Sequence, residues 1–214
     1  MLLDREINQR RSIRLKGYDY SQAGLYFVTI CTHQRQCLFN ETGKDPARKN
    51  PAWLMIKSHW AELPARFSFI ELDDFVVMPN HLHGLLQVIH EGKQEEKEQE
   101  EKEREGRTQG SPLQAQVTQY VHPVGTKAGS LGRVIQAFKS LTTHQYTTGV
   151  KSDNWPAFDG KIWQRDYHDH IVRNEAALDS IRHYIATNPC EWEQDDENPA
   201  NIPSHTPHAL LQIP

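Results

Sequence analysis

Two apolar segments with only two residues between them constrain the fold of this chain more than any other feature. Residues 69–78 and 81–89 are rich in residues that favour strands, and the Pro79-Asn80 dipeptide between them is typical of a tight turn. Successive side chains of a strand point to opposite faces of the sheet. His81 and His83 are therefore predicted to project from one face, and Leu82 from the other face into the core.

The remaining segments alternate between extended and helical patterns. A strand is predicted over 24–32, where β-branched and aromatic residues are concentrated. Apolar residues at spacings of three and four predict helices over 52–67, 130–141 and 174–185, and a short β-prone or irregular stretch is predicted over 161–171. This order predicts an α+β fold, a ferredoxin-like sandwich in which an antiparallel sheet has its helices packed on one face.

The charge of the chain is unevenly distributed. Its 214 residues carry a formal net charge of −4, and all of that excess lies in residues 91–106, which contain eight Glu, three Lys and one Arg. Residues 91–129 are polar with almost no apolar periodicity, which predicts an inserted, largely disordered loop, with a single charged helix as the alternative. We assign 1–190 to one domain with this insertion, and 191–214 to an acidic, proline-rich tail that either packs back through Trp192 or stays free.

Several classes of protein are disfavoured by the sequence. The longest apolar stretch, 25–31, contains a threonine and is far shorter than the roughly 20 residues that a membrane-spanning helix needs. The first residues lack the charged start and apolar core of a secretory signal. Cys31, Cys37 and Cys190 are odd in number and show no CxxC spacing. We therefore expect a cytoplasmic protein with no membrane partner and no structural zinc.

The two histidines of the 81–89 strand are candidate metal ligands. Two neutral imidazoles on one strand face can chelate a divalent metal, although paired histidines also occur as ordinary surface residues. The last helix offers further polar groups, because Tyr184 and Asn188 are four residues apart and lie on one stripe of it. A tyrosine at such a position is also common as an amphipathic packing residue. Spacing alone therefore leaves both interpretations open.

Six segments of the chain together resemble the REP-associated tyrosine transposases, domesticated relatives of the single-strand insertion-sequence transposases within the HUH endonuclease group. The resemblance runs in order from about residue 10 to residue 190, and the acidic insertion is its one large departure. The six segments are 10–18 (RRSIRLKGY), 24–30 (GLYFVTI), 78–83 (MPNHLH), 131–140 (LGRVIQAFKS), 163–171 (WQRDYHDHI) and 184–189 (YIATNP).

The resemblance implies a role for each matching residue. His81 and His83 fall on the catalytic, metal-binding histidine pair of the HUH group, and Asn188 falls on the polar residue that completes the metal site. Tyr184 falls on the nucleophile. The implied cofactor is Mg²⁺ or Mn²⁺, and the implied reaction is cleavage and rejoining of single-stranded or hairpin DNA at repetitive palindromes through a 5′-phosphotyrosine. A phenol must lose its proton as it attacks, either to a metal-bound hydroxide or with the help of a cationic neighbour such as His183, Arg182 or Lys139.

Basic residues in the matching segments are candidate DNA contacts. An arginine-rich cluster near the start of the chain exceeds ordinary surface charge density, and further cations lie in the 131–140 and 163–171 segments. The predicted DNA-binding residues are Arg10, Arg11, Arg14, Lys16, Arg133, Lys139 and Arg165.

Two other functions remain open from the sequence. A nucleic-acid-binding module of the same fold would need the basic face but not the histidines or the tyrosine. A metal-dependent hydrolase would use water as the nucleophile in place of Tyr184. A monomer and a homodimer are both compatible with the sequence.

Overall fold

The computed structural model describes residues 18–39, 50–89 and 127–201. Its strands are β1 (Gly24–Cys31), β2 (Ile70–Val77), β3 (His81–Val88) and β4 (His168–Val172). Its α-helices are α1 (Pro51–Ala61), α2 (Leu63–Arg66), α3 (Leu131–Ser152) and α4 (Glu175–Thr187). Short 3-10 helices cover His33–Arg35, Asn188–Gln194 and Pro199–Asn201. Most of the 91–129 insertion, the Arg10–Lys16 cluster and residues 202–214 lie outside these described ranges.

The four strands form one open sheet in the order β2-β3-β1-β4. Every neighbouring pair is antiparallel. With α1 and α2 between β1 and β2, and α3 between β3 and β4, this is the ferredoxin-like arrangement, so the predicted fold class is confirmed. The tight turn at Pro79-Asn80 joins β2 to β3, as the sequence predicts.

The helices cover both faces of the sheet. α1 and α3 pack on one face, where Val28, Leu82 and Leu86 meet Trp60 and Phe138 in the main core. α4 packs on the opposite face, where its residues Ile181 and Ile185 meet Phe27 and Leu85. The expectation of helices on one face therefore holds for α1 and α3 and is corrected for α4. The sheet side of α4 is apolar, and β1 and β3 carry apolar residues on both of their faces.

Two helices differ from the predicted bounds. The helix predicted over 52–67 is interrupted at Glu62, one residue before α2, which has Pro64 in its first turn. α3 runs on to Ser152, well beyond the apolar pattern of 130–141. Its extension is rich in threonine, a residue of low helix propensity, and is held in place by the fully buried Tyr146, whose ring packs against Trp155 and Phe158.

None of the helices in the described part of the chain is both long enough and apolar enough to cross a membrane.

We expect the contact between Gly84 and Trp60 to be sensitive to added volume. A Cβ at Gly84 would lie 2.9 Å from Cε2 of the fully buried Trp60 ring, closer than van der Waals contact allows. Gly84→Ala should lower the free energy of unfolding by about 1–3 kcal/mol, measured by urea denaturation. Gly24→Ala is the matched control, because a Cβ there would have no neighbour nearer than 3.5 Å. Equal stability of the two variants would contradict this packing.

Candidate metal centre

His81 and His83 lie on one face of β3, as the sequence predicts, while Leu82 packs in the main core on the other face. Both imidazoles are buried, with exposed fractions of 0% and 1%. Their Nε2 atoms face each other at 2.9 Å. Burial lowers the pKa of His81 to about 3, and it also lowers the pKa of His83 well below its usual value. Both rings are therefore neutral at pH 7, the state in which imidazole binds metals.

The other ring nitrogens of the two histidines are held by neighbouring side chains. Nδ1 of His81 is 2.8 Å from Oδ1 of Asn80, and Nδ1 of His83 is 2.8 Å from Oγ1 of Thr29. Thr29 lies directly opposite His83 in the pairing of β1 with β3. These contacts orient the two Nε2 atoms toward a common point.

Asp195 is a third donor that the sequence analysis missed. Its Oδ2 lies 3.8 Å from Nε2 of His81, and donor atoms of His81, His83 and Asp195 all lie within 4.8 Å of one another. These three residues could hold a metal ion. Burial raises the pKa of the Asp195 carboxyl, and bonds from the Glu197 backbone amide and Asn188 partly oppose that shift. Asp195 belongs to the acidic run that the sequence analysis placed in a tail.

The first part of that tail packs onto the domain. The 3-10 helix Asn188–Gln194 places the buried Trp192 beside His81, with ring centroids 6.2 Å apart. Farther along, Arg35 donates to the Glu197 carboxylate at 2.8 Å. Of the two alternatives for this tail, packing through Trp192 is the one that the structure shows for the described residues up to 201. No short-range pattern could have shown that Asp195 then meets a histidine more than 110 residues earlier.

Asn188 lies at the same site, but its observed contact is with Asp195, whereas the sequence analysis assigned it to the metal. Its Nδ2 donates to Oδ2 of Asp195 at 3.1 Å, so it orients the carboxylate. Its Oδ1 is buried and has no hydrogen-bond partner among the described residues. A buried amide oxygen without a partner is costly, and it is a suitable oxygen ligand for a cation. The sequence-based assignment of Asn188 to the metal therefore stays a prediction, beside Asp195.

Tyr184 lies on α4, one turn before Asn188, and its hydroxyl reaches the histidine pair. The hydroxyl oxygen is 3.1 Å from Nε2 of His83, and the ring packs edge-on against His83 with centroids 5.1 Å apart. Burial raises the pKa of the phenol, and the nearby carboxylates of Asp195, Asp196 and Glu197 raise it further. The phenol is therefore protonated at neutral pH in the metal-free chain and must lose its proton before or during a nucleophilic attack.

The donor set fits a divalent cation. Two imidazole nitrogens and one carboxylate oxygen converge where they are shielded from water, and the Nδ1 contacts orient both rings. Oxygen donors suit Mg²⁺ and Mn²⁺, whereas two imidazoles favour Mn²⁺ or a softer ion. The neutral histidines carry no positive charge that would repel the metal.

Three of the predicted basic residues lie on α3 or in the segment before β4, and the others lie outside the described ranges. Arg10, Arg11, Arg14 and Lys16 lie outside them. Nζ of Lys139 donates to the backbone carbonyls of Gln164 and Asp166 at 3.0 and 2.8 Å, so this lysine also holds the segment that leads into β4. Arg165 is exposed in that segment, and Arg133 lies in the first turn of α3. Their contacts with DNA stay predictions.

The three cationic residues predicted to assist loss of the Tyr184 proton lie in different surroundings. Arg182 donates to Oδ2 of Asp73 at 2.6 Å, and His183 is exposed on α4. Lys139 is bonded to the carbonyls just described. His83 contacts the Tyr184 hydroxyl at hydrogen-bonding distance.

This chain is similar in sequence to a curated protein and in structure to several solved proteins. An uncharacterized protein of Haemophilus influenzae is 35% identical over 189 residues, which cover 88% of this chain and 93% of the relative. The structure of a REP-associated tyrosine transposase bound to a REP hairpin matches with 16% identity and a TM-score of 0.49, covering 84% of this chain and 74% of that one. A Deinococcus radiodurans R1 protein provisionally named a transposase matches with 15% identity and a TM-score of 0.39, covering 81% of this chain and 95% of that one. No family model matches the sequence.

Asp195 should contribute directly to metal affinity. Asp195→Asn keeps the size of the side chain but removes its negative charge, so we expect Mn²⁺ binding to weaken by about tenfold or more, measured by isothermal titration calorimetry. Asp196→Asn is the matched control, since the neighbouring Asp196 side chain is exposed and outside the donor cluster. Unchanged affinity in Asp195→Asn would exclude Asp195 as a ligand.

Proposed function

We propose that this chain, which belongs to the same family as the Haemophilus influenzae protein, is a metal-dependent endonuclease and strand transferase for single-stranded or hairpin DNA. The observation that carries the proposal is the position of the Tyr184 hydroxyl, 3.1 Å from Nε2 of His83 and so at the edge of the metal-binding cluster. A tyrosine that only filled space on α4 would not need its hydroxyl at a buried histidine pair. The motif resemblance points to the same tyrosine independently of the geometry.

The proposed reaction exchanges one phosphoester for another. The Tyr184 oxygen attacks phosphorus, the bond from phosphorus to the 3′ oxygen breaks, and a 5′-phosphotyrosine forms. The phenol proton leaves to a base, and the 3′ oxygen takes up a proton to become a free hydroxyl. Attack of a 3′-hydroxyl on the phosphotyrosine reverses these steps and rejoins DNA, so no external energy source is needed.

The residues of the cluster have separate proposed roles in binding the metal and in positioning the groups that react. His81, His83 and Asp195 would hold Mg²⁺ or Mn²⁺, which when bound supplies positive charge against the phosphate oxygens. Asn188 orients the Asp195 carboxylate through its Nδ2. The rigid α4, packed against the sheet through Ile181 and Ile185, fixes the distance between the nucleophile and the cluster.

The proposed substrate is DNA of the kind implied by the motif resemblance, single-stranded or folded as a hairpin at repetitive palindromes. The basic residues Arg10 to Lys16, Arg133, Lys139 and Arg165 would contact its phosphates, which makes binding dependent on salt. These assignments rest on the sequence.

The nucleophile can be tested with a labelled hairpin panel, Mn²⁺ or Mg²⁺ and a denaturing gel. The wild-type protein should give a slowly migrating covalent band that a chelator abolishes, and Tyr184→Phe should lose at least about 100-fold of it because phenylalanine has no attacking oxygen. Tyr146→Phe is the control, since the hydroxyl of this buried tyrosine donates to the Pro156 carbonyl on the other side of the sheet.

Two outcomes would contradict the proposal. Cleavage that persists in Tyr184→Phe would indicate that metal-activated water is the nucleophile. Tight hairpin binding without a covalent band or cleavage in the wild type would indicate a DNA-binding module.

A further inference from the structure

Asn80 occupies the turn between β2 and β3 and is fully buried, with an exposed fraction of 0%. Its side-chain nitrogen lies 2.7 Å from the carbonyl oxygen of Glu197 and 3.2 Å from that of Arg35. A carbonyl oxygen can only accept a hydrogen bond, so the atom facing both carbonyls must be the amide NH₂. The orientation of the Asn80 amide is therefore fixed by its partners.

This orientation determines which nitrogen of His81 carries a proton. The remaining polar atom of Asn80 is Oδ1, an acceptor, and it lies 2.8 Å from Nδ1 of His81. Nδ1 must therefore be the N–H that donates. In a neutral imidazole the other nitrogen then has a lone pair. Nε2 of His81 points that lone pair at the position enclosed by His83 and Asp195, 2.9 and 3.8 Å away.

We propose that Asn80 is a positioning residue that fixes the Nδ1–H tautomer of His81 and so prepares its Nε2 for a metal ion. This inference rests on the metal centre of the proposed function. It goes beyond the ligand set, because Asn80 acts on the metal only through His81. The effect of Asn80 on the His81 tautomer requires neither DNA nor the Tyr184 hydroxyl.

The two histidines differ in whether their Nδ1 partner fixes the tautomer. The Thr29 hydroxyl, 2.8 Å from Nδ1 of His83, can donate or accept. In the metal-free chain, Nε2–H of His83 can therefore donate to Nε2 of His81 while Thr29 donates to Nδ1. When a metal occupies the site, Thr29 can instead accept from Nδ1–H. His81 is fixed in its metal-binding tautomer, whereas His83 is adjustable.

Asn80 also links distant parts of the chain at this point. The carbonyl that it bonds belongs to Glu197, two residues after Asp195, and Arg35 supplies both the second carbonyl and the ion pair with the Glu197 carboxylate. Because loss of Asn80 removes these contacts as well, metal affinity alone would not separate the two effects. The tautomer itself is therefore the decisive measurement.

The test uses ¹⁵N NMR of the metal-free, full-length protein labelled at histidine, with the His81 signals assigned from their loss in His81→Gln. The wild type should show His81 protonated at Nδ1 and unprotonated at Nε2. Asn80→Ala should lose this preference, and its Mn²⁺ affinity by calorimetry should fall roughly 10–100-fold. Asn80→Asp should retain the preference if its buried carboxyl is protonated, because one oxygen then accepts from Nδ1–H while the other donates to the Glu197 carbonyl. The wild-type tautomer keeps the test valid if neither variant folds.

Asn50→Ala is the matched control. Asn50 is another buried asparagine whose side-chain oxygen and nitrogen both form hydrogen bonds. The oxygen accepts from the Trp53 backbone N–H at 3.0 Å, and the nitrogen donates to the Leu38 carbonyl at 2.9 Å. It should lose stability without changing the His81 tautomer or Mn²⁺ affinity.

An unchanged His81 tautomer in Asn80→Ala, or a protonated Nε2 in the wild type, would overturn the inference. Absence of Mn²⁺ binding by the wild type would instead contradict the proposed function, while the tautomer measurement would still decide the role of Asn80.

Discussion

Burial of both faces of β3 is the constraint on which the rest of the structure depends. Leu82 and Leu86 face the core beneath α1 and α3, whereas His83 and Leu85 face α4 and the segment that follows it. Seven of the eight residues of β3 are buried and only Gln87 is exposed, so the two histidines have almost no contact with solvent. The two histidines are therefore neutral, and each of their ring nitrogens must find a partner inside the protein.

The chain satisfies this requirement with side chains from four separate elements. Asn80 and Thr29 take the Nδ1 positions, and Asp195 and Tyr184 approach the Nε2 positions. The polar groups thus form a connected network in surroundings where an unpaired group would cost several kcal/mol. The same burial that makes the network costly to disrupt also removes competing water from a bound cation.

Short-range pattern was sufficient for most of the fold. Alternation in β3, the helical spacing of α1, α3 and α4, and the turn at Pro79-Asn80 are each determined within about a dozen residues. The helix bounds were less accurate, because Pro64 interrupts the helical hydrogen bonding of residues 52–67, and the end of α3 depends on the tertiary packing of Tyr146 against Trp155. The second face of the sheet was missed, since a single amphipathic helix does not reveal which side of a sheet it covers.

By itself, the sequence determined that His81 and His83 share one strand face and that Tyr184 and Asn188 share one helix stripe, because both relations follow from local backbone geometry. Only the tertiary structure decided that these two pairs meet, and that Asp195 joins them. Asp195 is more than 110 residues from the histidines along the chain. Its position depends on the packing of Trp192 and on the Asn80 and Arg35 contacts with Glu197, which no local pattern encodes.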